Sequence, residues 1–175
     1  MNQDKQILLQ QEIEAGLLAW YDFPCGSHVL YIGSEEEALF SALCKLDVVP
    51  ACTAADRSVQ EAWISPHEDS FDAVVSVADL ERVQDPSSLL RAWRRVLKPA
   101  GRLLLGMNNR LGIRYFCGDR DPYTRRTFDG VEGYRWAYGK REDVFYGRMY
   151  SRAEMEALLS GAGFFPPHFY SVLPD

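Results

Sequence analysis

Short continuous apolar runs alternate along the chain with longer stretches whose apolar residues recur at helical spacing. The first helical pattern covers residues 4–20, with Ile7, Leu8, Ile13, Leu17 and Leu18 roughly on one face, and Pro24 and Gly26 break it. Residues 28–32 form an apolar run, which predicts a short strand ending at Gly33. Behind it Leu39, Ala42, Leu43 and Leu46 stand at i, i+3, i+4 and i+7, the stripe of an amphipathic helix. A second strand is expected over 47–56, "DVVPACTAAD", weakened by Pro50. Residues 57–70 lack a clear period and have room for one abbreviated element.

The second half is marked more sharply. "FDAVVSV", Phe71–Val77, reads as a buried strand. Asp85 is a good helix N-cap, and Pro86 follows at the first helical position, where its missing N–H costs nothing. Leu89, Leu90, Trp93, Val96 and Leu97 give that helix its buried stripe, and Pro99 and Gly101 end it. A strand is expected over 102–107, then a long polar and aromatic segment over 108–150. Ser151 and Glu154 form the capping box of a last helix, with glycine stops at Gly161 and Gly163, and a final strand is expected over 169–173. Strands alternating with helices predict an α/β fold with an open parallel sheet covered on both faces. The expected organisation is a single domain over 1–175: a helical lead-in (1–27), a core (28–107), an insert (108–150) and a closing helix and strand (151–175).

Composition narrows the classes of function. A chain of 175 residues with 47% hydrophobic and 25% charged content is long enough for one sizeable core. No apolar run approaches the ~20 residues of a membrane span, and the polar N-terminus does not resemble a signal peptide. A net charge of −6 does not favour nucleic acid as a partner. Cys25, Cys44, Cys52 and Cys117 lack C-x-x-C spacing, and His28, His67 and His168 are scattered, so a metal site is not expected. These features predict a cytoplasmic protein whose thiols are reduced and mostly packed in the core.

"FDAVVSVADLERVQDPSSLLRAWRRVLKPAGRLLLGMNN" resembles the second half of a class I S-adenosylmethionine-dependent methyltransferase, and "SRAEMEALLSGAGF" follows in family order. The resemblance implies a Rossmann-like, doubly wound, mostly parallel sheet. It implies a fold shortened by about one helix and one strand, because only fourteen residues separate Asp56 from Phe71. It also implies S-adenosylmethionine as cofactor, held by Gly33, Ser34 and Glu35 after the first strand. Asp56 is then expected on the ribose hydroxyls, with Ser76 and Asp79 at the end of the third strand.

A narrower resemblance joins "AWYDFPCGSHVLYIG", "NNRLGIRYFCGD", "FDGVEGY" and "MYSRAEMEALLSGAGF" to methyltransferase domains of bacterial surface-glycan biosynthesis proteins. It implies a glycan or small-molecule substrate whose hydroxyl is methylated, and flanking domains of a longer polypeptide. Asn109, Arg110, Tyr115, Tyr134 and Trp136 are the expected substrate contacts, and Asp79 and Asn109 the candidate catalytic groups. Residues 111–150 hold ten of the 22 aromatics, which suits sugar binding, a packed lid or a protein-binding surface alike.

The turn after Gly33 separates the possible ligands. Where the family has further glycines, this chain has Ser34, Glu35, Glu36 and Glu37. Ser34 and Glu37 fit a capping box, and acidic residues suit a helix N-terminus. A pyrophosphate there would meet three like charges, each repelling by roughly 4 kcal/mol at ~4 Å, which argues against NAD. S-adenosylmethionine carries a sulfonium cation and no phosphate. Two readings stand at this point: a methyltransferase, or a degenerate module without catalysis that supports a neighbouring domain or partner.

Overall fold

The computed structural model describes residues 16–138 and 144–171. Most of the helix expected over 4–20 lies outside them; Leu17–Trp20 is one 3-10 turn. Among the described residues four parallel strands form the sheet: β1 (Ser27–Ile32), β2 (Val48–Thr53), β3 (Phe71–Val77) and β4 (Leu97–Gly106), in the order β2-β1-β3-β4. The contacts gather into two compact units, one of the chain up to Val77 with Arg95–Gly106, the other of Ala78–Arg94 with the chain from Met107 onward. No helix among the described residues is long and apolar enough to cross a membrane.

The first unit is the sheet with its short connections. Val29 faces Pro50 and Ala73 across the ladders, and Val75 faces Leu104, so side chains of like parity share a face. On one face Val29, Tyr31, Ala73 and Val75 are buried together with Leu39 and Leu43 of helix α1 (Ala38–Leu43) and with Leu18. On the other, Leu30, Ile32 and Val74 are wholly buried. Pro50 is tolerated because β2 is the edge strand of the described sheet.

Between β2 and β3 the chain makes helical turns α2 (Ala55–Ser58) and α3 (Glu61–Ile64) and a 3-10 turn, Ser65–His67, with no strand among them. Trp63, His67 and Phe71 stack there, with ring centroids 4.5 and 6.1 Å apart. Glu61 and Glu68 both bind Arg95, but the three side chains are 43–68% exposed, and such pairs contribute little.

β4 begins five residues earlier than its apolar pattern. Leu97 pairs with Phe71 and Arg102 with Ala73, so residues 98–101 bulge out of the ladder. Lys98 meets Asp72 at 2.8 Å, and the same carboxylate accepts the His28 N–H at 2.9 Å. Gly101 is required here, since a Cβ would stand 2.8 Å from Leu97 and 3.1 Å from the Phe71 carbonyl oxygen.

The second unit contains the turn α4 (Asp79–Arg82), most of helix α5 (Pro86–Val96), the turn α6 (Ile113–Phe116) and helix α7 (Arg152–Gly161). Asp85 caps α5 by accepting the Ser88 N–H at 3.0 Å, and the expected stripe from Leu89 to Leu97 is buried. The Ser151–Glu154 capping box forms, and α7 stops where Gly163 takes a left-handed φ of 85°.

Three local expectations are corrected. Ser34 and Glu37 make no capping box: the helix starts only at Ala38, and the Glu37 carboxylate turns back to the Tyr31 hydroxyl. Phe169–Ser171 carry no ladder, and Val172 and Leu173 of that expected strand lie outside the described residues. Cys25, Cys44 and Cys117 are exposed thiols rather than core residues, and only Cys52 is partly buried.

Candidate functional site

Because β1 and β2 are parallel, the residues that follow them, from Gly33 and from Ala54, leave the sheet at the same edge. Gly33 continues the β1–β2 ladder, its N–H bonding the Thr53 carbonyl at 2.9 Å, while its own carbonyl accepts from the Cys52 thiol. Its φ of 150° is open to glycine. A Cβ there would lie 2.7 Å from the Tyr31 ring and 2.8 Å from the Glu37 carboxylate. The space beside Gly33 is thus filled by two side chains of this chain.

The turn is strongly negative. Burial pushes the Cys52 thiol up to about 11, and the Glu35 and Glu37 charges add to the effect. Ser34 accepts the Glu36 N–H at 3.3 Å, which holds the turn open before the helix. Asp56 lies in α2, three residues past the end of β2 rather than in the strand. It is exposed, and one carboxylate oxygen accepts the Arg57 N–H at 2.9 Å. Thr53 Oγ1 is buried and makes no hydrogen bond among the described residues. Ser76 is 1% exposed near the end of β3.

This donor set suits a cationic, hydroxyl-bearing ligand. Glu35 and Asp56 are exposed carboxylates that can accept hydrogen bonds, and the buried Thr53 Oγ1 has an unused polar atom. A sulfonium compound therefore fits the turn in charge and hydrogen-bonding capacity. The adverse feature is steric and belongs to Glu37, whose carboxylate stands beside Gly33.

The second unit builds its own polar centre around Glu81, which is wholly buried. Its carboxylate accepts from the Asn108 backbone N–H at 2.7 Å, the Asn108 side-chain amide at 3.2 Å and the Tyr123 hydroxyl at 2.7 Å. Its carbonyl accepts the Arg148 N–H at 2.7 Å. Burial pushes the carboxyl pKa up, against these hydrogen bonds. Burial also raises the Tyr123 hydroxyl well above the ordinary tyrosine range, with the Glu81 charge adding to it. Nothing in "ADLERV" marks Glu81 as a buried acid. Its partners lie 27, 42 and 67 positions away, so only the folded chain identifies it.

The expected substrate residues separate into different roles. Arg110 clamps the unit, donating to Glu154 at 2.7 Å and to the Gly130 and Val131 carbonyls at 3.0 and 3.2 Å. Tyr134 is 3% exposed, its hydroxyl donating to Asp121 at 2.6 Å and accepting the Met149 N–H at 2.8 Å. Tyr115 is 6% exposed beneath the Arg114 guanidinium. Asn109 is exposed and accepts the Leu111 N–H, Trp136 is 72% exposed, and Asp79 is the half-buried first residue of α4.

Residues 26–105 match the family model described as a methyltransferase domain. A ubiquinone biosynthesis O-methyltransferase of Xanthomonas oryzae pv. oryzae is 51% identical over 41 residues, which is 23% of this chain and 17% of that enzyme. The chain thus spans less than a fifth of that relative's length. An S-adenosylmethionine-dependent methyltransferase from Mesorhizobium loti aligns in structure over 87% of this chain and 81% of its own, at 16% identity and a TM-score of 0.54. One from Thermotoga maritima aligns over 89% and 72%, at 22% identity and a TM-score of 0.51. The match of residues 26–105 and these alignments agree on one architecture: the chain has the fold of the class I S-adenosylmethionine-dependent methyltransferases.

Proposed function

We propose that this domain transfers the methyl group of S-adenosylmethionine to a hydroxyl of a sugar-bearing or small-molecule acceptor. The observation that carries the reading is the acidic set at the carboxyl edge of the sheet, Glu35 and Asp56, within the segment that matches the family. Bound, the cofactor would supply an activated methyl on a sulfonium sulfur. Glu35 would hold its ammonium group and Asp56 its ribose hydroxyls, with Gly33, Ser34 and Ser76 as the backbone and small side chains around it. The protein's part is then to fix the acceptor in near-attack geometry and to accept a proton from its hydroxyl. Asp79 is the candidate for that proton, because an asparagine at 109 has no basic form at neutral pH. Asn109 and Trp136 are the accessible members of the expected acceptor site.

Thermal-shift titration with S-adenosylmethionine and S-adenosylhomocysteine, with NAD as control, tests this directly. Saturation at 100 times the dissociation constant stabilises by ~2.7 kcal/mol. A saturable shift with the two methionine compounds alone is expected. No shift at millimolar ligand, in a domain that melts cooperatively, favours the reading without catalysis, to which the filled space beside Gly33 belongs.

A further inference from the structure

Within the second unit lies a cleft of about 530 Å³, a volume in the range of small-molecule sites. Its walls include Tyr123, Tyr138 and Tyr146, two arginines, Arg125 and Arg126, and the carboxylate of Asp129. The Asp129 side chain is only 4% exposed, yet its Oδ2 accepts no hydrogen bond among the described residues; the Arg126 Nε stands off at 3.7 Å. A buried acceptor without a donor is uncommon in folded chains, and in a cleft wall it calls for an O–H or N–H from a ligand.

Hydrogen bonds hold part of the wall in place. Asp121 Oδ1 accepts the Tyr123 and Thr124 N–H groups at 2.8 and 3.0 Å, and the Asp121 N–H closes the turn on the Arg126 carbonyl at 2.9 Å. This places Arg125 in a left-handed conformation, φ 61°, beside Arg126. The Tyr123 hydroxyl is fixed by Glu81 at 2.7 Å and the Tyr138 hydroxyl by the Gly147 carbonyl at 2.5 Å. Gly147, at φ 134°, leaves room for the Tyr123 ring, with which any Cβ there would collide. A site whose supports are locked in this way needs little reordering to bind.

We propose that this cleft binds a sugar bearing an anionic group, with Arg125 and Arg126 on the phosphate or carboxylate, Asp129 on a ring hydroxyl and the tyrosines against the ring. Charge and shape both enter the assignment. Two guanidiniums select an anion, a buried carboxylate oxygen with an ion pair at 3.7 Å but no hydrogen bond can accept from a hydroxyl, and the rings of Tyr123 and Tyr138, their hydroxyls fixed, suit the C–H faces of a pyranose. The proposal goes beyond the methyltransferase reading: the cleft contains neither Asn109 nor Trp136, and binding there does not require methyl transfer.

The test is cofactor-free. Glucose 6-phosphate, glucuronic acid, glucose and inorganic phosphate are titrated into the whole chain, with calorimetry and amide NMR as readouts. Both anionic sugars, or one of them, should bind at least tenfold more tightly than glucose and than phosphate alone, and should shift the amides of residues 123–129. Which of the two binds distinguishes a phosphate from a carboxylate group. Arg125→Gly, which suits the left-handed backbone, combined with Arg126→Gln should weaken binding at least tenfold. Asp129→Asn should also weaken it, with the anion preference kept. If a variant does not fold, the shift map of the unaltered protein decides. No binding at millimolar sugar, or shifts confined to other residues, overturns the proposal. Failure here with a positive S-adenosylmethionine titration removes only this sugar site; the converse removes only the methyl transfer.

Discussion

Three side chains carry most of the argument at the scale of single residues. Glu37 stands beside Gly33 and bonds Tyr31, and this contact opposes a ligand at the turn. Glu37→Ala is therefore expected to raise S-adenosylmethionine affinity, by up to about tenfold or ~1.4 kcal/mol. Unchanged affinity by calorimetry would return the contact to plain packing. Asp56→Ala should weaken the same binding, and a dissociation constant equal to the parent's would remove Asp56 from the site. Glu81 is a packing determinant of a different kind. Its alanine variant takes the acceptor from the half-buried Tyr123 hydroxyl and from the Asn108 N–H, a loss of ~1–3 kcal/mol. Urea unfolding measures it, and a loss under ~1 kcal/mol would mean that water replaces the carboxylate.

At the scale of elements, the helix termini were legible and the strand-to-helix turn was not. Asp85 and Ser151 cap α5 and α7 as their sequence signatures predict, since a cap depends on neighbours three residues away. Asp85→Ala should cost ~1 kcal/mol of stability, read from the shift of the urea midpoint at constant slope. Ser34 and Glu37 had the same signature and failed, because a tyrosine hydroxyl from β1 took the carboxylate. Glu154 ties α7 to Arg110 and Arg148. Burial opposes its charge but is outweighed by Arg110 and by the Ser151 N–H and hydroxyl, which hold the carboxyl at about 2. In the unfolded chain it titrates near ~4.3, so the native state binds fewer protons between these values. Its contribution is complete above about pH 5 and disappears as pH falls toward 2. Glu154→Gln should be less stable at neutral pH and lose less stability on acidification, which acid unfolding followed by circular dichroism can compare.

For the whole molecule, the sheet order β2-β1-β3-β4 and the short turns of α2 and α3 agree with an α/β fold abbreviated by about one helix and one strand. The fourteen-residue interval alone predicts this, since chain length bounds what can be built. A methyltransferase domain should gain ~2.7 kcal/mol at 100-fold saturation with its cofactor, and Asp56→Ala should reduce that gain at equal concentration.

The strands β1 to β3, the capped helices, the class of fold and the acidic character of the first turn were readable from the amino-acid order, whereas the strand expected over 169–173 carries no ladder at Phe169–Ser171 and β4 starts earlier than its apolar run. Each of these follows from local spacing, from chain length or from the charge of neighbouring residues. Long-range contacts settled the rest. They turned Glu37 onto Tyr31, buried Glu81 under Asn108 and Tyr123, committed Arg110 and Tyr134 to internal hydrogen bonds, and left Asp129 without a donor in a cleft. Whether a polar side chain faces a ligand or the core depends on partners tens of residues away. No periodicity encodes those partners, because the described residues of this segment, 108–138 and 144–150, pack largely through individual polar contacts.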